Sequence, residues 1–269
     1  MYMFTVHILL RYYIYANIIE GDLYMKLIVN GDDFGYSIGQ NLGILECFKN
    51  GVMTSTSLMV NMPGFNHAIE LMKNNSELKV GIHLVMTVGS PISTGLKEIV
   101  NKDGIFDRDM AKIETANIEE IRKEYRAQVD KFLSTGFTPV HIDFHYAVTN
   151  EQYQVAMEIA KELNIPVRGM DKVWEDKLDE NNIKHSKNFN CDFYNEGVSL
   201  ENLISILENN LDKDYMELMS HPAYVDSTIL RNSSYNTKRA FELEILTSNE
   251  IKEYIKNNDN IELISYKDL

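Results

Sequence analysis

An α/β fold of the (β/α) barrel-like class is expected, with parallel strands, outer helices and a distorted or incomplete ring. Three observations predict it. Short apolar runs alternate with amphipathic stretches from residue 25 onward. About seven such runs fall within roughly 245 residues, which suits one barrel better than two small domains. Neither GxGxxG nor GxxxxGKS/T occurs, so a doubly wound open sheet, the alternative architecture, lacks its nucleotide-binding signatures.

The elements follow in order. Residues 27–30 (LIVN) form a short buried-type strand. A helix is predicted over 37–50, with Ser37 as N-cap and Gly51 just past its end. β-branched and apolar residues predict a strand over 54–60, and Pro63 sits near the first turn of a helix over 63–73. A strand over 79–84 leads into a long loop over 86–115, of the kind that is often functional. The helix over 117–134 gathers Ile118, Ile121, Tyr125, Val129, Phe132 and Leu133 on one face. A strand over 139–144, a helix over 152–163 and a strand over 165–168 come next. Residues 171–197 read as polar and irregular. A helix over 200–211, a strand over 215–220, a loop over 223–236, two helices over 237–246 and 248–256, and a strand over 261–266 close the series.

Composition limits the function. The chain has 269 residues, 44% apolar and 25% charged, which excludes disorder, collagen and coiled coil. Twenty-six basic against 40 acidic residues give a net charge of −14, which disfavours nucleic acid and anionic membrane as partners. The two cysteines are far apart and belong to no CxxC, so neither a disulfide framework nor a cysteine zinc site is expected. Cys47 reads as a small core residue, and the location as a reducing cytoplasm. Residues 1–24 are apolar and aromatic, but Arg11 interrupts them; the uninterrupted run is too short to span a bilayer, and there is no basic n-region or clear small-residue cleavage site. They read as an N-terminal extension outside the fold, with Met25 as the natural start and 25–269 as a single domain.

The polar residues collect where a barrel of this class carries its chemistry, at the C-terminal ends of strands. The first strand ends Asn30-Gly-Asp32-Asp33-Phe-Gly35, the third Gly81-Ile-His83, the fourth His141-Ile-Asp143-Phe-His145, and another Ser220-His221-Pro222. In a strand, 141, 143 and 145 point to one face. Two imidazoles and a carboxylate on one side are costly to bury unless a metal or hydrogen bonds occupy them. An Asp with two His suits a divalent metal with an open position for water, whose pKa falls to about 7. A second carboxylate could act as base and a histidine from another strand as acid, which suits amide or ester hydrolysis. His7, His67 and His185 lie on no such strand end and read as surface residues.

The stretches NGDDFGYSIGQNLGILE, NGVMTSTSLMVNMP, VGIHLVMTVGSP, TPVHIDFH and SHPAYVDSTILRNSSY, with ELEILTS after it, resemble the YdjC/ChbG carbohydrate deacetylases in order and spacing from Met25 to Leu269. The last long stretch looks closest to the chito-oligosaccharide deacetylase branch. The resemblance implies a barrel-like fold, one divalent metal ion (Mg2+ or Zn2+), removal of acetyl from N-acetylated sugars such as diacetylchitobiose, and a homodimer. Carried over by motif, Asp33, His83 and His145 are the metal ligands, Asp32 the catalytic base and His221 the acid for the leaving amine. His141 and Asp143 orient ligands. Arg168 either orients the base, touches substrate or forms a plain surface ion pair. The family often continues HxDxH as HxDSHHHVH; here Phe144, Tyr146, Ala147 and Thr149 break that pattern. The three ligands survive, so metal binding should too, while substrate choice or turnover falls open. Tyr146, Trp174 and Tyr224 are candidates to stack on sugar rings. Two rivals remain: a metal-dependent phosphoesterase, for which the motifs supply only Arg168 as a cationic clamp, and a sugar-binding homologue with impaired catalysis.

Overall fold

The computed structural model describes residues 24–269. The expected extension therefore lies, apart from Tyr24, outside the described residues, and so does His7. Strand β1 (Met25–Phe34) is buried on both faces along nearly its whole length. It is the centre of an all-parallel sheet, which explains why it reads as a continuous apolar run. On one side it pairs with β2 (Ser55–Leu58), which is followed by β3 (Val80–Leu84) and β4 (Ile142–Phe144). On the other side lie β6 (Tyr215–Ser220) and β5 (Phe189–Asn190). Strand β7 (Ile261–Leu263) pairs with the first three residues of β1.

The wall continues past β4. Val167 bridges in parallel to Ile142 on one side and to His185 on the other. The segment carrying His185 runs on into β5, so the sheet curls round as an α/β barrel with one thin stretch. That thin stretch replaces the expected strand over 165–168. Pro166 has no N–H, so the ladder to β4 is reduced to Ile142 donating to the Pro166 carbonyl and Arg168 donating to the Ile142 carbonyl.

Helices cover the outside. Ser37 caps α1 (Ile38–Asn50) by accepting from Gln40 N, as its position before the apolar run predicts. Helix α2 (Phe65–Asn74) starts two residues later than expected, with Gly64 rather than a side chain at its cap. The expected loops contain three helices: α3 (Met110–Glu114), α6 (Lys172–Glu180) and α8 (Ser227–Asn232). Each is announced by an aspartate, Asp109, Asp171 and Asp226, accepting from first-turn N–H groups. The last strand stops at Leu263, and the chain turns into a 3-10 segment, Tyr266–Asp268, capped by Ser265.

Helix α4 (Ile118–Leu133) buries Ile121, Tyr125, Val129 and Phe132, with Ile118 and Leu133 half-buried beside them. The same face carries two buried polar side chains. Gln128 accepts from Val85 N at 3.0 Å, just after β3. Glu124 accepts from Ile92 N and Ser93 N, both at 2.9 Å, and from Ser93 Oγ at 2.6 Å. One turn earlier, Glu120 accepts from the N–H groups of Lys97, Glu98 and Ile99. The long loop after β3 is thus pinned to a helix by two carboxylates. Removing a carboxylate that satisfies buried donors leaves those donors unpaired. Glu124→Ala is expected to lower unfolding free energy by about 1–3 kcal/mol in chemical denaturation, and Glu124→Gln, which keeps the acceptor, by less.

Candidate functional site

The end of β1 builds the floor of the site. Between Gly31 and Phe34 the pairing with β2 slips, so β1 carries one residue more than its partner there. Asp33 takes a left-handed conformation, φ 69°, which aspartate tolerates better than most residues. The bulge and the left-handed turn let neighbouring side chains that would alternate in a regular strand face one cavity. That cavity, of about 530 Å³, is lined by Asp32, Asp33, His83, His145, Arg168 and His221, six of the eight expected site residues. His141 and Asp143 lie behind the lining and are fully buried.

Arg168 is 1% exposed, so the surface ion pair is excluded. Its guanidinium forks onto Asp32, Nη1 to Oδ2 and Nη2 to Oδ1 at 2.8 Å each. Nε donates to Glu217 Oε1 at 2.8 Å, and Nη2 lies 3.1 Å from Asp143 Oδ2. Asn30 Nδ2 ties the two aspartates, at 2.7 Å from Asp32 Oδ1 and 3.1 Å from Asp143 Oδ2. Asp143 Oδ1 faces His83 Nδ1 at 2.8 Å and its Oδ2 faces His141 Nε2 at 3.3 Å. The close packing of His141 beneath β3 needs glycine at 81, where a Cβ would stand 2.3 Å from the ring.

On the other wall, Arg239 Nη2 donates to Asp33 Oδ2 and Nη1 to Gln40 Oε1, both at 2.8 Å. His221 follows β6, its backbone N–H donating to the buried Glu242 and its Nδ1 lying 3.8 Å from Glu242 Oε1. Tyr235 donates to the same carboxylate and stacks on Tyr194 at 4.0 Å; both rings stand within 5.6 Å of His221.

Burial alone would raise the Asp33 pKa, but the charge of Arg239 holds it well below the usual carboxylate range. Asp143 is likewise held low, by Arg168 and His83 against its burial. Burial would lower the His83 pKa; the charge and hydrogen bond of Asp143 outweigh it, Asp33 adds, and the ring is pushed up to about 10. His145 has no such carboxylate in contact, and burial brings it down to about 4.

Two sets of atoms could hold a metal. Among the described residues, one donor atom each of Asp32, His83 and Asp143 lie within 4.8 Å of one another. Both carboxylates of that trio, however, are engaged by Arg168, Asn30 and the imidazoles. The expected set is freer. Asp33 Oδ1 is buried without a hydrogen-bond partner and lies 3.5 Å from His83 Nε2. The Nδ1 of His83 is taken by Asp143 and Ser57, and that of His145 by Thr87 at 2.6 Å. Each ring thus keeps Nε2 for a ligand, with the hydrogen bond behind it that metal-bound histidines usually have.

The stacking candidates separate. Tyr146, 67% exposed and with φ 71°, lines the cavity. Trp174 is stacked on Tyr153 at 3.8 Å beneath Lys177, and Tyr224 is exposed; neither lines the cavity. His185, expected at the surface, is buried and pairs with Asp179 at 3.0 Å, while His67 is half-buried against Asn41. Cys47 is fully buried, as expected. The residues that sequence reasoning left without a role are Glu217, Arg239 and Glu242.

A family model described as YdjC-like protein matches residues 26–257. The chain belongs to the YdjC-like family. A carbohydrate deacetylase of Clostridium beijerinckii is 47% identical over 248 residues, covering 91% of this chain and all of that one. One of Brevibacillus brevis is 41% identical over 251 residues, with the same coverage. Among solved structures, one described as a candidate cellobiose-phosphate cleavage protein of Enterococcus faecalis V583 superposes with a TM-score of 0.84 at 31% identity, covering 91% of this chain and 98% of that one. Among the described residues no helix is long and apolar enough to cross a membrane.

Ligation through Nε2 needs neutral rings. With its pKa near 10, His83 must release one proton, whereas His145, near 4, is already neutral. Apparent affinity for a divalent metal is therefore expected to rise about tenfold per unit from roughly pH 6 to 8, measured by competition with a chromogenic chelator. An affinity flat across that range would mean that the His83 ring carries no proton for the metal to displace.

Proposed function

We propose that the protein is a metal-dependent carbohydrate N-deacetylase acting on short N-acetylated sugars such as diacetylchitobiose. The observation that carries this reading is the facing pair of proton carriers across one cavity: Asp32, clamped by Arg168, on the floor, and His221, backed by Glu242, on the wall. The relatives, carbohydrate deacetylases by name, point the same way.

Asp33, His83 and His145 would hold the ion. When bound, a divalent cation supplies a Lewis acid that activates water and polarises the acetamide carbonyl. Asp32 takes the proton of the attacking water. The Arg168 fork and Asn30 fix both of its oxygens, so its orientation does not have to be found during reaction. His221 delivers a proton to the departing amine. Its buried Nδ1 faces Glu242, which leaves the opposite edge of the ring for the substrate. Two histidines and a carboxylate suit zinc by ligand softness, and magnesium by the family resemblance. Tyr146 at the rim offers a face for a sugar ring.

The phosphoesterase reading finds less support. Arg168 and Arg239 reach the cavity, but both guanidiniums are paired with carboxylates, and Arg108, the other arginine among the described residues that lines it, is exposed.

Incubation with diacetylchitobiose is expected to release acetate, to stop with chelator, and to resume when zinc or magnesium is restored. His83→Ala and His145→Ala are each expected to abolish turnover and metal binding together. A variant of either that keeps full metal and loses only turnover would remove that histidine from the ligand set. Absence of release from a folded, metal-loaded protein across N-acetyl sugars would favour the binding homologue.

A further inference from the structure

We infer that Tyr266, in the 3-10 turn after β7, is a positioning residue that sets both halves of the site from beneath. It is 1% exposed and does not line the cavity, so it touches no substrate. Its ring lies flat on His141, with centroids 3.6 Å apart and planes 6° apart. From His141 the contacts run through Asp143 to His83: 3.3 Å from His141 Nε2 to Asp143 Oδ2, then 2.8 Å from Asp143 Oδ1 to His83 Nδ1. Its hydroxyl donates to Glu217 Oε2 and meets Ser186 Oγ at 3.2 Å. From Glu217 the contacts run through Arg168 Nε to the fork on Asp32, at 2.8 Å in each step. One side chain therefore backs a metal-ligand candidate with its face and the base candidate with its oxygen.

The turn that carries Tyr266 is held independently of the site. Ser265 and Asp268 close a capping box, and Tyr266 N donates to Ser55 Oγ at 3.2 Å. A tyrosine serving only the core needs one partner for its hydroxyl. Here the hydroxyl has two, Ser186 and Glu217, and the second is the carboxylate that shares Arg168 with Asp32.

The inference rests on the roles proposed for Asp32 and His83, and its test separates the two arms. Tyr266→Phe keeps the ring and loses the hydroxyl: kcat is expected to fall about tenfold, with KM and metal affinity within about twofold of the parent. Tyr266→Leu loses both contacts, and metal affinity, read by chelator competition, is expected to fall about tenfold as well. In a double-mutant cycle with Glu217→Gln, the kcat losses should be far from additive. Thermal melts accompany each variant, and the Phe variant decides the matter should the Leu variant not fold. A Phe variant with parental kcat, additive losses in the cycle, or a folded Leu variant with parental metal affinity would overturn the inference. A parent protein that releases no acetate would instead overturn the proposed function itself, with the Leu variant's metal affinity still testing the His141 arm.

Discussion

The structure depends on a guanidinium buried among carboxylates. Arg168 meets Asp32, Asp143 and Glu217, all of them out of water. Taking such charges out of solvent costs several kcal/mol per ion, and removing one partner of a buried set strands the others. The cluster is tolerable because nearly every lone pair has a donor: Asn30, His83, His141, Ser186 and Tyr266 supply those that Arg168 does not. A second guanidinium, Arg239, does the same for one oxygen of Asp33. The other oxygen of Asp33 is the exception, buried and without a hydrogen bond.

That exception and the charge count agree. With His83 neutral, four carboxylates (Asp32, Asp33, Asp143, Glu217) face two guanidiniums, which leaves a formal charge of two minus at the floor. The high pKa of His83 answers part of that deficit with a proton. The divalent cation proposed beside Asp33 would answer all of it and would release the proton. The same arrangement divides labour between adjacent aspartates. Asp32 is immobilised by hydrogen bonds, as the proposed base requires, and Asp33 keeps one oxygen without a hydrogen bond, as the proposed ligand requires. The bulge in β1 makes this division possible, because a regular strand would send one of the two away from the cavity.

Much of this was legible in the sequence. The strand ends carrying Asp32, Asp33, His83, His145 and His221 meet in one cavity, as a parallel barrel dictates. Arg168 could be placed at a strand end but not judged buried or exposed, because that depends on Glu217 and Asp32 lying on other strands. Arg239 and Glu242 were hidden for a related reason. They sit on a helix (Lys238–Thr247) whose polar positions look solvated until the fold packs it on α1 and brings Arg239 to Asp33 and Glu242 to the His221 N–H. The polar segment after residue 170 concealed helix α6 because its apolar stripe is thin; its signal was local, Asp171 accepting from Trp174 N. His185 misled in the opposite direction. A lone histidine in a polar stretch is buried here because its segment is part of the barrel wall and Asp179 provides a partner.

The most direct test of the metal centre is anomalous diffraction at the zinc edge from crystals of the zinc-loaded protein. A single peak within about 2.0–2.2 Å of Asp33 Oδ1, His83 Nε2 and His145 Nε2 is the expected result. A peak bonded to Asp32 and Asp143, with Asp33 left uncoordinated, would contradict the assignment of base and ligand on which the proposed chemistry stands.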